Sequence, residues 1–269
     1  MLIDAHLHCT GAENAPGVLR ALDDAGVDVG VLLAPFLTPP YALADAASLR
    51  RANAHLADLV RGHGDRLVGL AVVNPALPGA AADARRALDL GLRGLKLVPS
   101  GWYPYDDAAH EVYAVAAAHR APILFHAGIF IDGRSGRFCR PVFYEAVREH
   151  AGLRVTLAHL GWPWCDECNA VGIIDRINGV PPDDCTFRFD LSFGAPPVYR
   201  EEVLRRALAC LGPALLQFGS DRFLPCAGAH IATAIAEVRA LCDTLDVDAE
   251  GQGRIMGGTA AAWLGLPAR

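Results

Sequence analysis

Short runs of apolar residues alternate with longer amphipathic stretches along the whole chain, and the alternation recurs roughly every thirty residues. The apolar runs predict strands at Leu2–Ala5, Val27–Leu33, Leu67–Val73, Leu92–Val98, Ile123–His126, Leu153–Ala158, Thr186–Leu191 and Leu215–Phe218. The stretches between them predict helices at Pro16–Ala25, Leu43–Arg61, Ala80–Leu90, Asp106–His119, Pro141–His150, Trp164–Ile177, Val198–Leu211 and Ala229–Leu245. The tail Gln252–Leu266 also has a helical pattern, and we expect it to cap the flank of the fold.

Eight strand–helix units in succession predict an α/β fold, namely a single (β/α)8 TIM barrel with a C-terminal extra helix. We expect one domain over residues 1–269, because no linker or low-complexity segment interrupts the pattern. A doubly wound sheet is the weaker alternative. A dinucleotide-binding version of it would place a Gly-x-Gly-x-x-Gly turn after the first strand, where this chain has His-x-His.

The composition is that of a globular protein, with 52% hydrophobic and 20% charged residues and a net charge of −6. Without a basic block, nucleic acid and anionic membranes are not expected as partners. No apolar run reaches the roughly 18 residues that a membrane span needs, and no secretion signal is recognisable. We therefore expect a cytoplasmic protein whose eight cysteines are reduced.

Polar residues with metal-binding or catalytic chemistry stand at the carboxyl ends of the predicted strands. His6 and His8 are two residues apart, so their side chains share one face of the first strand, and imidazole is a common zinc ligand. The carboxyl ends of barrel strands meet at one rim, where barrel active sites lie. The other residues expected at this rim are Asn74, Lys96, His126, His159, Asp190 and Asp221.

Several of these residues stand in motifs that resemble the amidohydrolase superfamily, in particular its amidohydrolase-2-type branch, which is similar to aminocarboxymuconate-semialdehyde decarboxylase. The motifs are Asp4-Ala5-His6-Leu7-His8, Gly94-Leu95-Lys96-Leu97, Phe125-His126-Ala127-Gly128, Ala158-His159-Leu160-Gly161-Trp162-Pro163-Trp164, Phe218-Gly219-Ser220-Asp221 and the terminal Gly258-Thr259-Ala260-Ala261-Ala262-Trp263-Leu264-Gly265-Leu266. The resemblance covers nearly the whole chain. It implies a metal-dependent hydrolase with His6, His8, His126 and Asp221 as metal ligands and His159 as the catalytic histidine.

The chemistry of these residues suits those roles. Three neutral imidazoles and one carboxylate leave a divalent ion, zinc first and manganese as the alternative, with positive charge and a position for water, whose pKa falls to about 7. Asp221 could accept the proton of that water, and His159 could polarise a carbonyl group or transfer a proton. We therefore predict a hydrolase that attacks the carbonyl of an amide, ester or lactone in a small molecule.

Lys96 has two interpretations. In binuclear branches of the superfamily the corresponding lysine is carbamylated and bridges two metals, whereas in the branch resembled here it remains an amine. We favour the amine and one metal ion.

The other candidate substrate contacts are Asn74, Trp162, Arg134 and Arg222. Arginine suits bidentate recognition of carboxylates, so the two arginines favour an acidic substrate.

Each of these contacts has a plainer alternative. Arg134 could point into solvent, and Asn74 could simply form the turn before Pro75. Asp190 could cap the following helix or bond the barrel backbone as readily as contact a ligand. Cys165 and Cys168 have the spacing of half a zinc or redox motif, but without a second such pair they are interpreted as residues at the start of a helix.

Three other functions remain open. The branch resembled here includes nonoxidative decarboxylases of unsaturated or aromatic acids, and an arginine cluster would also suit a lactone hydrolase that needs no metal. The non-enzymatic alternative is a silent zinc-binding barrel with Cys165 and Cys168 as an accessory thiol pair.

A homodimer is also open, since a neighbouring subunit could complete a pocket that few insertions cover.

Overall fold

In the computed structural model of this chain, which describes residues 1–192 and 194–267, strands alternate with helices from end to end. The strands are β1 (Ile3–His8), β2 (Val29–Leu33), β3 (Leu67–Val73), β4 (Gly94–Leu97), β5 (Ile123–Phe125), β6 (Val155–Leu157), β7 (Phe187–Asp190), β8 (Leu216–Gln217) and β9 (Arg222–Phe223). The α-helices are α1 (Ala15–Ala25), α2 (Ala46–Val60), α3 (Ala80–Asp89), α4 (Asp107–Ala118), α5 (Cys165–Ile177), α6 (Pro197–Leu211), α7 (Gly228–Thr244), α8 (Ala249–Gly253) and α9 (Thr259–Leu264).

The strands form one parallel sheet in the order β8-β7-β6-β5-β4-β3-β2-β1-β9. β8 and β9 are two parts of one final strand, interrupted at residues 218–221. The amide of Ala5 donates to the carbonyl of Phe218 over 3.1 Å. The amide of Asp221 donates to the carbonyl of His6 over 2.9 Å. These bonds join the last strand to the first, so the predicted (β/α)8 barrel is confirmed.

Helix starts and ends follow local sequence signals. The side chain of Asn14 accepts from the amide of Gly17 over 2.9 Å at the start of α1, and Gly26 ends that helix with φ 71°. Asp45 caps α2 in the same way, through the amide of Ala47. Among the helices of residues 1–192 and 194–267, none is both long and apolar enough to cross a membrane.

The segment between β5 and β6 differs from its prediction. Pro141–Glu149 is a 3₁₀-helix rather than an α-helix. Its buried residues are Pro141, Tyr144 and Val147. A spacing of three aligns side chains on one side of a 3₁₀-helix, which has three residues per turn, so this pattern favours the tighter coil. Tyr144 then packs on Phe125, with ring centroids 4.7 Å apart, and its hydroxyl donates to the carbonyl of His126.

The C-terminal extra helix is present, but it covers the floor of the barrel rather than the flank. The fully buried Trp263 of α9 belongs to one apolar cluster with side chains such as Ile3, Val31 and Leu70 from the first three strands. Its indole N–H donates to the carbonyl of Arg154 over 3.3 Å. Water must be excluded from these aliphatic side chains at the amino-terminal end of the barrel, and the indole provides that cover.

Candidate metal centre

Three of the predicted metal ligands meet where the barrel closes. Nε2 of His6 and Nε2 of His8 lie 3.4 and 3.0 Å from Oδ1 of Asp221. The register of β1 against β2 shifts between Asp4 and Leu7, which lets Ala5 pack in the floor cluster while the next residue, His6, joins the rim site. The backbone of Asp221 has φ 56°, at the interruption of the last strand.

The protonation states of this group suit a cation. Burial, reinforced by the Lys96 ammonium, lowers the pKa of His6 to about 4, and burial also lowers the pKa of His8. Burial alone would raise the pKa of Asp221, but His6 and His8 outweigh it and hold that pKa well below its usual range. Near neutral pH the site therefore holds two neutral imidazoles and a carboxylate. Their donor atoms all lie within 4.8 Å of one another, so they fit a divalent metal ion.

Gly219 is required beside this group. A Cβ atom at this position would lie 2.7 Å from Cβ of His6. Real Cβ atoms do not approach so closely, so any larger residue would push the final strand away from β1. The Gly-Ser-Asp sequence therefore positions Asp221 by letting the backbone pass close to His6.

Asp190, at the end of β7, accepts hydrogen bonds from several residues of the site and so fixes their positions. Its Oδ2 accepts from Nδ1 of His6 over 2.8 Å. Its Oδ1 accepts from the amides of His159 and Ser192, each over 2.9 Å. Burial would raise the pKa of Asp190, but the contacts with His6 outweigh it and keep the residue ionised. Because Nδ1–H of His6 donates to this carboxylate, the free lone pair of the ring lies on Nε2, which faces the rim. Many metal sites orient a histidine ligand in this way.

His159 lies beside the ligand group, in a turn where its backbone has φ 62°. Its ring stacks on that of His6 with centroids 5.5 Å apart. Nδ1 of His159 lies 2.8 Å from Oγ of Ser192, whose hydroxyl donates to Asp190, so Nδ1–H of His159 is the donor to Ser192. Sequence reasoning missed Ser192, although its position two residues after Asp190 at a strand end was a usable signal.

His126 lines the same cavity, but it is not part of the ligand group described above. Its Nε2 lies 3.2 Å from the carbonyl oxygen of Ile129, in the loop after β5. Its ring stacks on Phe130 with centroids 4.2 Å apart. The structure therefore brings together three of the four predicted ligands and holds the fourth against its own loop.

Lys96 is buried beside the ligands, with Nζ 3.3 Å from Nε2 of His6. Burial lowers the pKa of its ammonium to about 8, although Asp190 and Asp221 favour the charged form. A charged amine at this position would bind an anionic substrate group, which is the role predicted for it.

The ligand group opens into a cavity of about 790 Å³. Lys96, Trp162 and Arg134, three of the predicted substrate contacts, all line it. The guanidinium of Arg134 lies over the ring of Phe130 at 4.2 Å, and its Nε donates to Asp132 over 2.8 Å. Other aromatic side chains in the wall are Phe36, Phe130 and Phe223. The cavity therefore combines cationic groups with flat apolar surfaces.

Two predicted substrate contacts lie elsewhere. Asn74 is not among the described lining residues of this cavity, because its side-chain amide forms hydrogen bonds within the neighbouring loops. It donates to the carbonyl of Leu43 over 3.0 Å and accepts from the amide of Ala76 over 3.1 Å. Arg222 lines a neighbouring cavity instead. The structure thus favours the turn role for Asn74.

The two cysteines of the Cys-x-x-Cys sequence are placed as residues of a helix start. Cys165 is the first residue of α5, and Cys168 is fully buried. Burial raises the pKa of the Cys165 thiol to about 11 and raises that of Cys168 well above its usual range. Neither thiol is a reactive thiolate near neutral pH.

Comparison with known proteins gives one family match. A model of the amidohydrolase-2 family, described as amidohydrolase, matches residues 3–266. No curated protein matches the sequence. This match includes the first and last strands of the barrel and every residue of the candidate site.

Solved structures show the same fold. A 5-carboxyvanillate decarboxylase from Sphingomonas paucimobilis is similar with 21% identity and a TM-score of 0.63, over 93% of this chain and 82% of that one. A 2,6-dihydroxybenzoate decarboxylase from Rhizobium has 14% identity and a TM-score of 0.68, over 98% of both chains. A probable 2-pyrone-4,6-dicarboxylic acid hydrolase from Acinetobacter baumannii has 14% identity and a TM-score of 0.64, over 98% of this chain and 99% of that one.

Proposed function

Because the chain belongs to the amidohydrolase-2 family, whose members are enzymes, we propose that it is a metal-dependent hydrolase of a small acidic carbonyl compound. The observation that carries this proposal is the convergence of His6, His8 and Asp221 at the rim, with His159 beside them. The substrate would be an amide, an ester or a lactone. Its acidic character follows from Lys96 and Arg134, which line the cavity.

His6, His8 and Asp221 would hold the metal, and we propose His126 as a further ligand. A bound divalent ion supplies positive charge at the rim and lowers the pKa of water. Zinc suits a site of imidazoles and one carboxylate, and manganese is the alternative. One ion rather than two is proposed, because Lys96 in its amine form binds no second metal.

The protein residues would then manage protons and position the substrate. Asp221, an ionised carboxylate, accepts a proton from the attacking water at its oxygen and returns it to the leaving group. His159, whose Nδ1–H donates to Ser192, would act in its doubly protonated form, in which Nε2–H donates to the substrate carbonyl oxygen. Lys96 and Arg134 bind the carboxylate, and Trp162 and Phe130 exclude water from the reacting carbonyl.

Nonoxidative decarboxylation is the second candidate, and one observation favours it. Phe36, Phe130, Trp162 and Phe223 give the cavity flat apolar walls, which suit an aromatic or unsaturated acid. In that reaction His159 or Asp221 would deliver a proton to the carbon that loses the carboxyl group. Two decarboxylases share this fold, which makes the alternative worth testing without deciding it.

We also propose a single domain over residues 1–269, a cytoplasmic location and a homodimer. The dimer is proposed because Leu37, Ile129 and Ile131 are exposed apolar side chains in the wall of the metal cavity, and Ile131 is 93% exposed. A partner subunit would cover such residues.

The experiment that tests the function is a screen of lactones, esters, amides and aromatic acids with the protein as purified. For each compound, the release of acid and the release of CO₂ are both measured. Hydrolysis that stops with a chelator and returns with zinc or manganese is the expected result. CO₂ release would favour the decarboxylase, and hydrolysis that survives chelation would favour the metal-independent lactone hydrolase. No turnover of any class, with metal bound, would favour the silent zinc-binding barrel.

A further inference from the structure

A second cavity of about 670 Å³ lies next to the metal cavity, and His159 and Gly194 line both. His6, His8 and Asp221 are not among its described lining residues. Its walls are mainly apolar and come from the ends of β6 and β7 and from helices α6 and α7. The principal apolar residues are Leu160, Leu191, Val203, Leu204, Val238 and Leu241.

Arg222 is one of the charged residues in this mainly apolar lining. It follows Asp221 directly, and its Nε atom is buried without a hydrogen-bond partner among the described residues. In the described part of the chain, no carboxylate lies within ion-pair distance of its guanidinium, taken as 4.0 Å. Burying a guanidinium nitrogen without an acceptor costs free energy, which an anionic ligand would recover.

The other charged residues of this cavity are already paired with each other. Nη1 of Arg200 lies 2.9 Å from Oε2 of Glu237, and its Nε donates to the carbonyl of Ala195. This pair lies at the solvent side, with the Glu237 side chain 50% exposed. Among the described residues of the cavity, the arginine without a carboxylate partner is therefore Arg222, which is partly buried.

We propose that this second cavity binds a small organic monocarboxylate with an apolar body. The carboxylate accepts from the guanidinium of Arg222 in the bidentate geometry that arginine provides. The aliphatic or aromatic body lies against Val203, Leu204 and Val238 on α6 and α7. The site is separate from the metal centre and does not depend on the proposed hydrolase function.

The test is calorimetric titration of the intact protein with hexanoate, with hexanol as the uncharged control. Hexanoate binds saturably, and hexanol binds at least tenfold more weakly, because it lacks the charge that Arg222 pairs with. Arg222→Met keeps an unbranched apolar stem and removes the charge, so it weakens hexanoate binding at least tenfold. Arg134→Met, which removes the arginine of the metal cavity, is the matched control and leaves hexanoate binding unchanged.

Two further variants separate the cavities. Ala234→Leu adds volume to the second cavity from α7, so it abolishes hexanoate binding while the melting temperature stays that of the wild type. His8→Ala disrupts the metal site and leaves hexanoate binding intact. Equal binding by wild type and Arg222→Met would overturn the proposal. Loss of binding in His8→Ala or in Arg134→Met would overturn it as well, because hexanoate would then be bound in the metal cavity.

Discussion

Nδ1 of His6 donates to Oδ2 of Asp190 over 2.8 Å, while the other oxygen of Asp190 accepts from the backbone amide of His159. One carboxylate thus holds both a candidate metal ligand and the candidate catalytic histidine. Ser192 extends the contact to the His159 ring. The proposed metal binding and proton transfer would therefore be coupled through a residue that lines neither cavity.

Replacing Asp190 tests this coupling. Asp190→Asn keeps the size of the side chain but removes the charge that favours Nδ1–H on His6, so metal affinity falls about 10- to 100-fold. Competition with a chromogenic chelator measures the affinity. Asp89→Asn, on an exposed side chain, is the control and keeps wild-type affinity. An Asp190→Asn protein with wild-type metal affinity would contradict the orienting role.

Metal stoichiometry follows from the ligand group. The protein purified without added metal is expected to contain about one equivalent of divalent ion. His6→Ala and His8→Ala lose that ion, since each removes a donor beside Asp221, whereas His150→Ala keeps it. Elemental analysis gives the number. Two equivalents would instead support a carbamylated Lys96, and an absence of binding on reconstitution would argue against the metal site.

His159→Asn separates metal binding from catalysis. The variant loses the ring that donates to Ser192 and faces the cavity, so kcat falls about 10²- to 10⁴-fold. Its metal content stays at the wild-type value, because His159 is not in the ligand group. Ser192→Ala removes the hydroxyl that accepts from His159 and donates to Asp190 but keeps the His159 ring, so it has a smaller effect on kcat. Full activity in His159→Asn would exclude its catalytic role.

Glu13 gives a pH-dependent contribution to stability outside the site. Its carboxylate accepts from the amides of Thr10 and Gly11, and its Oε1 accepts from Nε2 of His55 over 2.9 Å. Burial would raise the pKa of Glu13, but these bonds outweigh it and lower the pKa below its ordinary 4.5. The contribution is therefore complete above pH 4.5 and is lost as the pH falls through the lower folded-state value.

Glu13→Gln should accordingly lower the free energy of unfolding by about 1–3 kcal/mol at pH 7. The difference from wild type shrinks in acid, because protonated Glu13 and glutamine are both neutral. Urea unfolding at a series of pH values measures it. Glu149→Gln, on a side chain that is 74% exposed, should have little effect at any pH. A constant difference between Glu13→Gln and wild type across the series would refute the ionic explanation.

Trp263 tests the role of the tail at the barrel floor. Trp263→Ala leaves a cavity beneath the floor cluster and costs about 3–5 kcal/mol, measured by chemical denaturation. Trp263→Phe keeps most of the packing and costs less. The native fraction of either variant still binds metal at the other end of the barrel. Wild-type stability in Trp263→Ala would show that the tail does not cover the floor.

The pattern of apolar runs was sufficient to predict the barrel, because each βα unit must bury a short strand under a helix. The rim residues could be predicted as well, since His6, His8 and Asp221 stand at strand ends. The tail was placed wrongly because a helical pattern does not reveal which surface it covers. The 3₁₀-helix at Pro141–Glu149 was missed because its period of three is close to that of an α-helix.

The finer arrangement of the site depends on side-chain directions that no sequence pattern reports. Arg222 follows a candidate metal ligand, yet the turn of the backbone at Asp221 directs it into a different cavity. His126 stands in a family motif, yet its ring is held by Ile129 and Phe130. The shared role of Asp190 depends on contacts with residues 31 and 184 positions away, which only the closed barrel brings together.

The closure of the barrel has a consequence for when the proposed metal site would form. His6 and His8 belong to the first strand and Asp221 to the last, so the ligands come from opposite ends of the order of synthesis. A nascent chain emerging from the ribosome holds its two histidines for more than two hundred residues before their carboxylate appears. Tight capture of the proposed metal would therefore be a late event, and a retained ion would report that the seam between the first and last strands has closed.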